Sequence, residues 1–233
     1  MSMDSETSAI LPESRALPAY DVACRRCARL AMFLDEVREV HPSYHCRPVA
    51  PFGDADATLV IVGLAPGLHG ANATGRPFTG DHAGILLYAT LHAYGYASQP
   101  QGAAPDDGLV LRGCRITNAV KCLPPANKPS PAEIRTCNDY LAADLATVPA
   151  GGAIIALGRI AHEATLRALG HRVAVFAHGA RHELARGVAL FDSYHCSRYN
   201  TNTRRLTPAM FDAVFAAAAR HLGRAGRAAG TAG

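Results

Sequence analysis

Short apolar runs that alternate with helical segments constrain the fold of this 233-residue chain more than any other feature. The runs are rich in β-branched side chains, which is typical of strands buried in a parallel sheet. The runs that predict strands are residues 58–63, 113–120, 152–157 and 187–193. Because helical segments separate them, the chain is predicted to be an α/β protein whose parallel sheet has helices on both faces.

The helical segments are predicted from apolar spacing and from their start signals. Ser130 is a good N-cap for a helix that begins at Pro131, because Glu133 follows three residues after the cap. The predicted helices are residues 19–39, residues 83–94, a helix from Pro131, residues 159–169 and a helix from Pro208. Cys24 and Cys27 are in the first half of the first predicted helix.

A length of 233 residues suits one large domain or two small ones. We expect a disordered N-terminal lead at residues 1–17, a single domain at 18–221 and a flexible tail at 222–233. No stretch reaches the roughly 18 apolar residues of a membrane span, and no secretion signal is visible. The expectation is a soluble cytoplasmic protein that acts as a monomer. Its net charge of +4 permits a polyanionic partner without requiring one.

Four of the seven cysteines have the spacing of metal ligands. Cys24 and Cys27 form a tight pair, and Cys122 and Cys137 follow about a hundred residues later on either side of a Lys/Pro-rich loop. An odd number of cysteines argues against a disulfide framework. The four therefore predict thiolate ligands of one metal centre, although spacing alone does not separate an iron–sulfur cluster from structural zinc.

The loops that follow the predicted strands contain the unusual residues. In an open parallel sheet, ligands bind beyond the carboxyl ends of the strands, which here means loops 63–82, 118–130, 158–159 and 193–206. The first of these loops is rich in glycine, which suits either a tight turn or close approach to a ligand. It lacks the lysine of a phosphate loop, so binding of a nucleoside triphosphate is not expected.

Polar residues in two further loops suit recognition of a nucleic acid. Asn118 offers a donor and an acceptor that fit the edge of a base, although an isolated asparagine more often caps a turn. From Ser193 to Thr207 there is no acidic residue, and small hydroxyl and amide side chains lie between Arg198 and the adjacent pair Arg204 and Arg205. This composition predicts contacts with phosphates, with His195 at the mouth of the loop.

Together these motifs resemble family 5, or type B, of the uracil-DNA glycosylase superfamily, its iron–sulfur branch. The similarity runs from about Cys24 to Phe215 and rests on several long motifs in the same order. The chain departs from the family pattern at Cys196, where proline is usual, and at Ala73, where arginine is expected. The motifs are Gly63-Leu-Ala-Pro-Gly67 with Gly70-Ala-Asn, Phe78-Thr-Gly-Asp81, Asn118-Ala-Val-Lys-Cys-Leu-Pro-Pro125, His195-Cys-Ser197 and Asn200-Thr-Asn-Thr203.

The resemblance implies a three-layer sandwich with a central four-stranded parallel sheet, and a four-iron, four-sulfur cluster held by the four cysteines named above. It implies an enzyme that flips a nucleotide out of DNA and excises uracil, and other deaminated bases such as hypoxanthine and xanthine. The implied residues are Asp81, Asn118 and His195 for catalysis; Gly63, Ala65, Gly67, Phe78, Asn118 and His195 for the base; and Ser197, Arg198, Asn200, Arg204 and Arg205 for DNA.

Each implied role follows from chemistry. Phe78 would stack on the base, Asn118 would bond its Watson–Crick edge, and His195 would donate to O2 of the departing base. Ala65 has no polar group to orient water, so Asp81 would either position the water or face the sugar cation, with Asn118 sharing the task. Two alternatives remain: a uracil-DNA binding protein of the same fold with little or no turnover, and an α/β protein with structural zinc that binds no nucleic acid.

Overall fold

The computed structural model describes residues 20–224. The predicted lead at residues 1–17 and most of the predicted tail, residues 225–233, lie outside this range. The strands are β1 (Phe52–Gly53), β2 (Leu59–Gly63), β3 (Cys114–Asn118), β4 (Ala153–Leu157), β5 (Arg181–Glu183) and β6 (Ala189–Ser193). The helices are α1 (Ala28–Val40), α2 (Ala71–Thr74), α3 (His82–Ala93), α4 (Pro131–Ala146), α5 (Arg159–Ala168), α6 (Arg198–Asn202) and α7 (Pro208–His221).

The strands form one sheet in the order β1-β3-β2-β4-β6-β5. The four central strands are parallel and correspond to the four predicted runs, so the α/β class is confirmed. The expectation of a sheet with only four strands was wrong, because β1 and β5 add an antiparallel strand at each edge. These edge strands have two and three residues, which is too short to produce an apolar pattern in the sequence.

Successive residues of the central strands face opposite sides of the sheet, so helices pack on both sides and the fold has three layers. Leu59 and Ile61 point to one face of the sheet and pack with helices α3 and α7. Val60 and Val62 point to the other face and pack with helices α4 and α5. Because both faces are covered, every residue of β2 is buried.

The first helix begins later than predicted. Helix α1 starts at Ala28, so Cys24 and Cys27 precede it, and their placement inside a helix was wrong. Cys27 is the N-cap residue, with extended backbone angles and no side-chain cap. The segment before it is an irregular turn in which the Cys24 N–H donates to the Asp21 carbonyl at 3.2 Å. This path allows both cysteines to face the same cavity.

Helix α4 begins as its sequence predicts. The Ser130 hydroxyl accepts from the Glu133 N–H at 3.2 Å, and the Glu133 carboxylate accepts from the Ser130 N–H at 2.7 Å. This reciprocal cap fixes the start of the helix that carries Cys137. Among residues 20–224, no helix combines the length and the apolar character needed to cross a bilayer.

Candidate active site

The sheet register brings three of the predicted loops to one edge. Gly63 at the end of β2 lies opposite Asn118 at the end of β3, and Leu157 lies opposite Ser193. A cavity of about 440 Å³ opens at this edge, which is large enough for a small organic ligand. It is lined by Leu64, Ala65, Gly67, Ala71, Phe78, Asp81, His82, Ala83, Asn118, Asn127, His195, Ser197 and Arg198.

Phe78 and His195 form an aromatic wall of this cavity. Their ring centroids are 6.0 Å apart and their planes differ by 26°, so the rings are nearly parallel. Phe78 has a positive φ of 56°, a backbone conformation that few side chains adopt. A Cβ at Gly84 would lie 1.8 Å from the Phe78 carbonyl oxygen, so glycine at that position allows α3 to approach the Phe78 turn.

Asn118 presents an unpaired amide oxygen beside this wall. Its side chain is buried, and among the described residues its Oδ1 has no hydrogen-bond partner. An unsatisfied buried acceptor costs about 1–3 kcal/mol, a cost that a ligand with a matching donor removes. A Cβ at Gly63 would lie 2.3 Å from that oxygen and 2.8 Å from the Phe78 ring, so only glycine leaves room for both side chains.

Asp81 is held at the first turn of α3. Its Oδ1 accepts from the Gly84 N–H at 3.0 Å, which makes it the N-cap residue of the helix. Burial raises the pKa of the Asp81 carboxyl, while the N–H groups of Gly84 and Ala83 oppose the shift. The result is a carboxylate that is more basic than one in water and that borders the cavity.

His195 is a neutral imidazole at physiological pH. Desolvation lowers the pKa of His195 to about 4, because the ring sits among apolar groups where its charged form is disfavoured. The Asn200 amide donates to the His195 carbonyl at 2.8 Å, and Ser197 caps α6 just after it. The His195 ring is therefore uncharged, and these contacts hold the backbone that carries it.

The predicted phosphate-binding residues lie on the outer rim. Arg198, Arg204 and Arg205 are exposed, and Arg198 also lines the cavity. The Arg205 guanidinium lies 4.8 Å from the centre of the Tyr194 ring, which limits its freedom before any ligand binds.

Cys196, where the family usually has proline, is buried in the main core and is not exposed on this rim. Burial raises the pKa of its thiol.

Three residues at this edge were not predicted. His82 and Asn127 line the cavity, and the His82 Nε2 lies 2.9 Å from the Thr201 hydroxyl, which ties α3 to α6. Tyr199 is 71 % exposed on α6, directly after Arg198. The sequence did contain a signal for this residue, because Tyr199 is a large aromatic side chain inside a basic loop.

The four predicted cysteine ligands line a second cavity. They come from the turn before α1, the loop after β3 and helix α4, and the cavity also touches Leu30, Val120, Lys121 and Tyr140. Burial raises the pKa of Cys122 to about 12, and repulsion from the thiolates of Cys137, Cys24 and Cys27 adds to the shift. The cysteines are therefore disfavoured as thiolates unless a cation offsets their charges.

The four thiols are less tightly grouped than the ligands of a single ion. Among the described residues, the group whose ligand atoms all lie within 4.8 Å of one another is His162, His182 and Asp192, and the cysteines form no such group. One zinc ion with thiolates at about 2.3 Å would hold the sulfurs within about 4 Å of each other.

The His162, His182 and Asp192 group is a hydrogen-bonded network. The two oxygens of Asp192 lie 2.7 Å from His162 Nδ1 and 2.9 Å from His182 Nε2. These contacts join α5, β6 and β5 at the edge of the sheet opposite to β1 and β3. They explain how a three-residue polar edge strand holds its place.

Comparison with known proteins gives one consistent match. A sequence profile of the Uracil DNA glycosylase superfamily matches residues 50–219. The chain is 46 % identical to a type-5 uracil-DNA glycosylase of Thermus thermophilus, over 86 % of this chain and 94 % of that protein. It is 42 % identical to a type-5 enzyme of Pyrobaculum aerophilum, over 80 % of this chain and 83 % of that protein. It is 43 % identical to one of Mycobacterium tuberculosis, over 85 % of this chain and 78 % of that protein.

The close packing at Gly63 predicts a specific cost of substitution. Gly63→Ala is expected to lower the free energy of unfolding by about 1–3 kcal/mol, because the new methyl group overlaps the Asn118 amide and the Phe78 ring. Urea unfolding measures the change. Gly67→Ala is the matched control, since its Cβ would meet its nearest neighbour, the Asp81 Oδ2, at 3.7 Å. Equal stability of the two variants would contradict the packing described here.

Proposed function

The chain belongs to the uracil DNA glycosylase superfamily and is a hydrolase that removes uracil from DNA in repair, and we propose that the cavity beside Asn118 carries out this reaction on a flipped-out nucleotide. The observation that carries the proposal is the unpaired Oδ1 of Asn118 next to the Phe78 ring. A flat apolar surface and an unpaired buried amide are what an extruded base needs.

Asn118 reads the Watson–Crick edge of uracil. Uracil offers an N3–H donor beside its O4 acceptor, and an amide side chain offers the complementary acceptor and donor. Cytosine lacks the N3 proton and carries an amino group in place of O4, so it would leave the Asn118 amide unpaired in the same pose. Phe78 stacks on the base and holds it in the plane that this pairing requires.

His195 stabilises the charge that develops when the glycosidic bond breaks. As the N1–C1′ bond breaks, its electron pair moves onto the base, and O2 carries much of the negative charge. The neutral His195 imidazole donates its N–H to O2 without giving up the proton. One donor of this kind, fixed in advance, contributes about 2.7–4 kcal/mol to catalysis.

Asp81 positions the attacking water. The water oxygen bonds to C1′ of the sugar cation, and the Asp81 carboxylate accepts a water proton, while the base leaves as an anion that takes a proton from solvent. Burial raises the pKa of Asp81, which makes it a better base. Asn118 shares in orienting the water, since Ala65 at the turn after β2 has no polar group.

The rim residues hold the DNA and fill the gap left by the base. Ser197, Arg198, Asn200, Arg204 and Arg205 lie on or beside α6 and offer donors to phosphates. Tyr199 is exposed on α6 directly after Arg198, and we assign it as the side chain that enters the base stack.

The cavity accepts more than one deaminated base. We include hypoxanthine and xanthine among the substrates, because catalysis rests on neutral donors and water rather than on a strong acid matched to one leaving group. A cavity of about 440 Å³ leaves room for a purine. The catalytic unit in this proposal is residues 18–221, acting as a monomer on cytoplasmic DNA.

The four cysteines would hold a four-iron, four-sulfur cluster. Their shared cavity, their mutual repulsion and spacing too wide for one ion support this assignment. When bound, the cluster supplies a covalent tie between the N-terminal segment, the loop after Asn118 and α4, rather than a step in the reaction. Ala65 packs against the same group of residues, so this tie supports the cavity wall.

Removal of the three reacting side chains tests the function. We expect the protein to release uracil from single- and double-stranded oligonucleotides, seen as strand breaks after alkali treatment. His195→Ala, Asn118→Ala and Asp81→Ala are each expected to lower kcat by about 100- to 1,000-fold. Asp56→Asn, an exposed carboxylate before the amino end of β2, is the control and should retain full activity. Binding of uracil-containing DNA without any strand breaks would identify a binding protein instead.

Tyr199 is expected to matter most on duplex DNA. Tyr199→Ala should lower excision from double-stranded substrate by about tenfold, since stacking on an aromatic side chain contributes about 1–3 kcal/mol. Single-stranded substrate has little stack to open and should be affected much less. Val175→Ala, at a residue that is 84 % exposed outside the cavity, is the control. Equal losses on both substrates would show that Tyr199 does not act as a wedge.

Metal content tests the cysteine assignment. The purified protein should contain about four iron and four sulfide per chain and absorb visible light. Cys122→Ser is expected to lose most of the iron and the absorbance and to melt at a lower temperature. Cys114→Ala, which removes a buried thiol of the main core, should retain the iron. Unchanged iron in Cys122→Ser would refute its role as a ligand.

A further inference from the structure

A fully buried ion pair lies directly behind Asn118. The Lys121 and Asp144 side chains are 2 % and 8 % exposed, and Lys121 Nζ lies 2.6 Å from Asp144 Oδ2. The same ammonium donates to the Asn118 carbonyl oxygen at 3.0 Å and to the Thr117 hydroxyl. Three N–H groups therefore meet three acceptors, which satisfies the lysine completely.

The position of this ammonium follows from the end of the sheet. The neighbour of β3 on the side away from β2 is β1, and its pairing extends no further than Ile116. On the other side, the Gly63 and Leu64 carbonyls accept from the Ala119 and Val120 N–H groups. The Asn118 carbonyl thus lies where no strand is present to pair with it, and the Lys121 ammonium supplies the missing donor.

Lys121 also contacts the cysteine cavity. Its backbone N–H donates to the Cys137 sulfur at 3.3 Å, and its carbonyl accepts from the Val49 N–H at 2.7 Å. One residue therefore joins the strand end that carries Asn118 to helix α4, through both its side chain and its backbone.

Stability alone does not explain a buried charge pair at this place. Replacement of such a pair by apolar side chains of similar volume is often neutral or stabilising, because desolvation offsets the attraction. The Lys121 ammonium donates a directional hydrogen bond to the Asn118 carbonyl, which an apolar pair could not do. It fixes the backbone at the residue whose side chain must meet the base.

We propose that Lys121, held by Asp144, is a positioning residue that sets the orientation of the Asn118 amide for base recognition. The inference rests on the proposed function, because Asn118 must read the base for its orientation to matter. Lys121 touches neither base nor DNA in this account, since the side chain is buried and does not line the larger cavity.

The test removes both charges together. In the double variant Lys121→Met/Asp144→Leu no unpaired charge is left in the interior, so the chain is expected to fold. Its kcat for uracil release is expected to fall by about 100-fold, the typical effect of a misplaced reacting group, with the KM for the oligonucleotide within about twofold. Inhibition by free uracil should weaken, because that reports the base site alone. Iron content should be unchanged.

A stability-matched control separates positioning from general damage. Leu145→Ala removes a buried side chain next to Asp144 on the same helix but has no contact with Asn118. Assayed below its melting temperature, it should keep the kcat and the uracil inhibition of the wild type. A double variant with wild-type kcat, or one whose activity is lost together with its iron, would overturn the inference. Failure of the wild type itself to release uracil would refute the proposed function instead.

Discussion

The parallel pairing of β2 with β3 is the interaction on which the rest of the site depends. It places Gly63 opposite Asn118, so the glycine-rich turn and the asparagine loop leave the sheet side by side. A shift of one residue would turn the Asn118 side chain to the other face of the sheet. The buried apolar faces of both strands prevent such a shift, and the absence of a side chain at residue 63 leaves room for Asn118 and Phe78.

The groups proposed to contact the base are uncharged, while the Asp81 carboxylate borders the same cavity and the other charges lie behind its wall or on its rim. Phe78, Asn118 and His195 present a ring, an amide and a neutral imidazole, and desolvation that lowers the pKa of His195 to about 4 keeps that donor uncharged. The Lys121–Asp144 pair lies behind the cavity wall and the arginines lie on the outer rim. This separation suits a reaction in which the charge on the departing base appears only as the bond breaks, because donors fixed in advance need no rearrangement.

Features with a local cause could be predicted from the sequence, and those with a tertiary cause could not. The four central strands and the reciprocal cap at Ser130 follow from apolar runs and from spacing, and the structure has them. The edge strand at 181–183 depends on contacts between Asp192 and two distant histidines, which no local pattern reveals. Apolar periodicity favoured a helix at Cys24 and Cys27, but both lie in an irregular turn. In that turn they line the same cavity as Cys122 and Cys137, a tertiary arrangement that no local pattern reveals. His82 joins the site only through the packing of α3 against α6.

The position of the base in a complex shows whether Phe78, Asn118 and His195 form the base site. A crystal structure with a single-stranded oligonucleotide that contains 2′-fluoro-2′-deoxyuridine would keep the glycosidic bond intact, because the fluorine disfavours the sugar cation. The account predicts that the uracil ring lies against Phe78, with N3 and O4 within hydrogen-bond distance of the Asn118 amide and O2 facing His195. A uracil bound outside this cavity, or one whose O4 edge points away from Asn118, would contradict it.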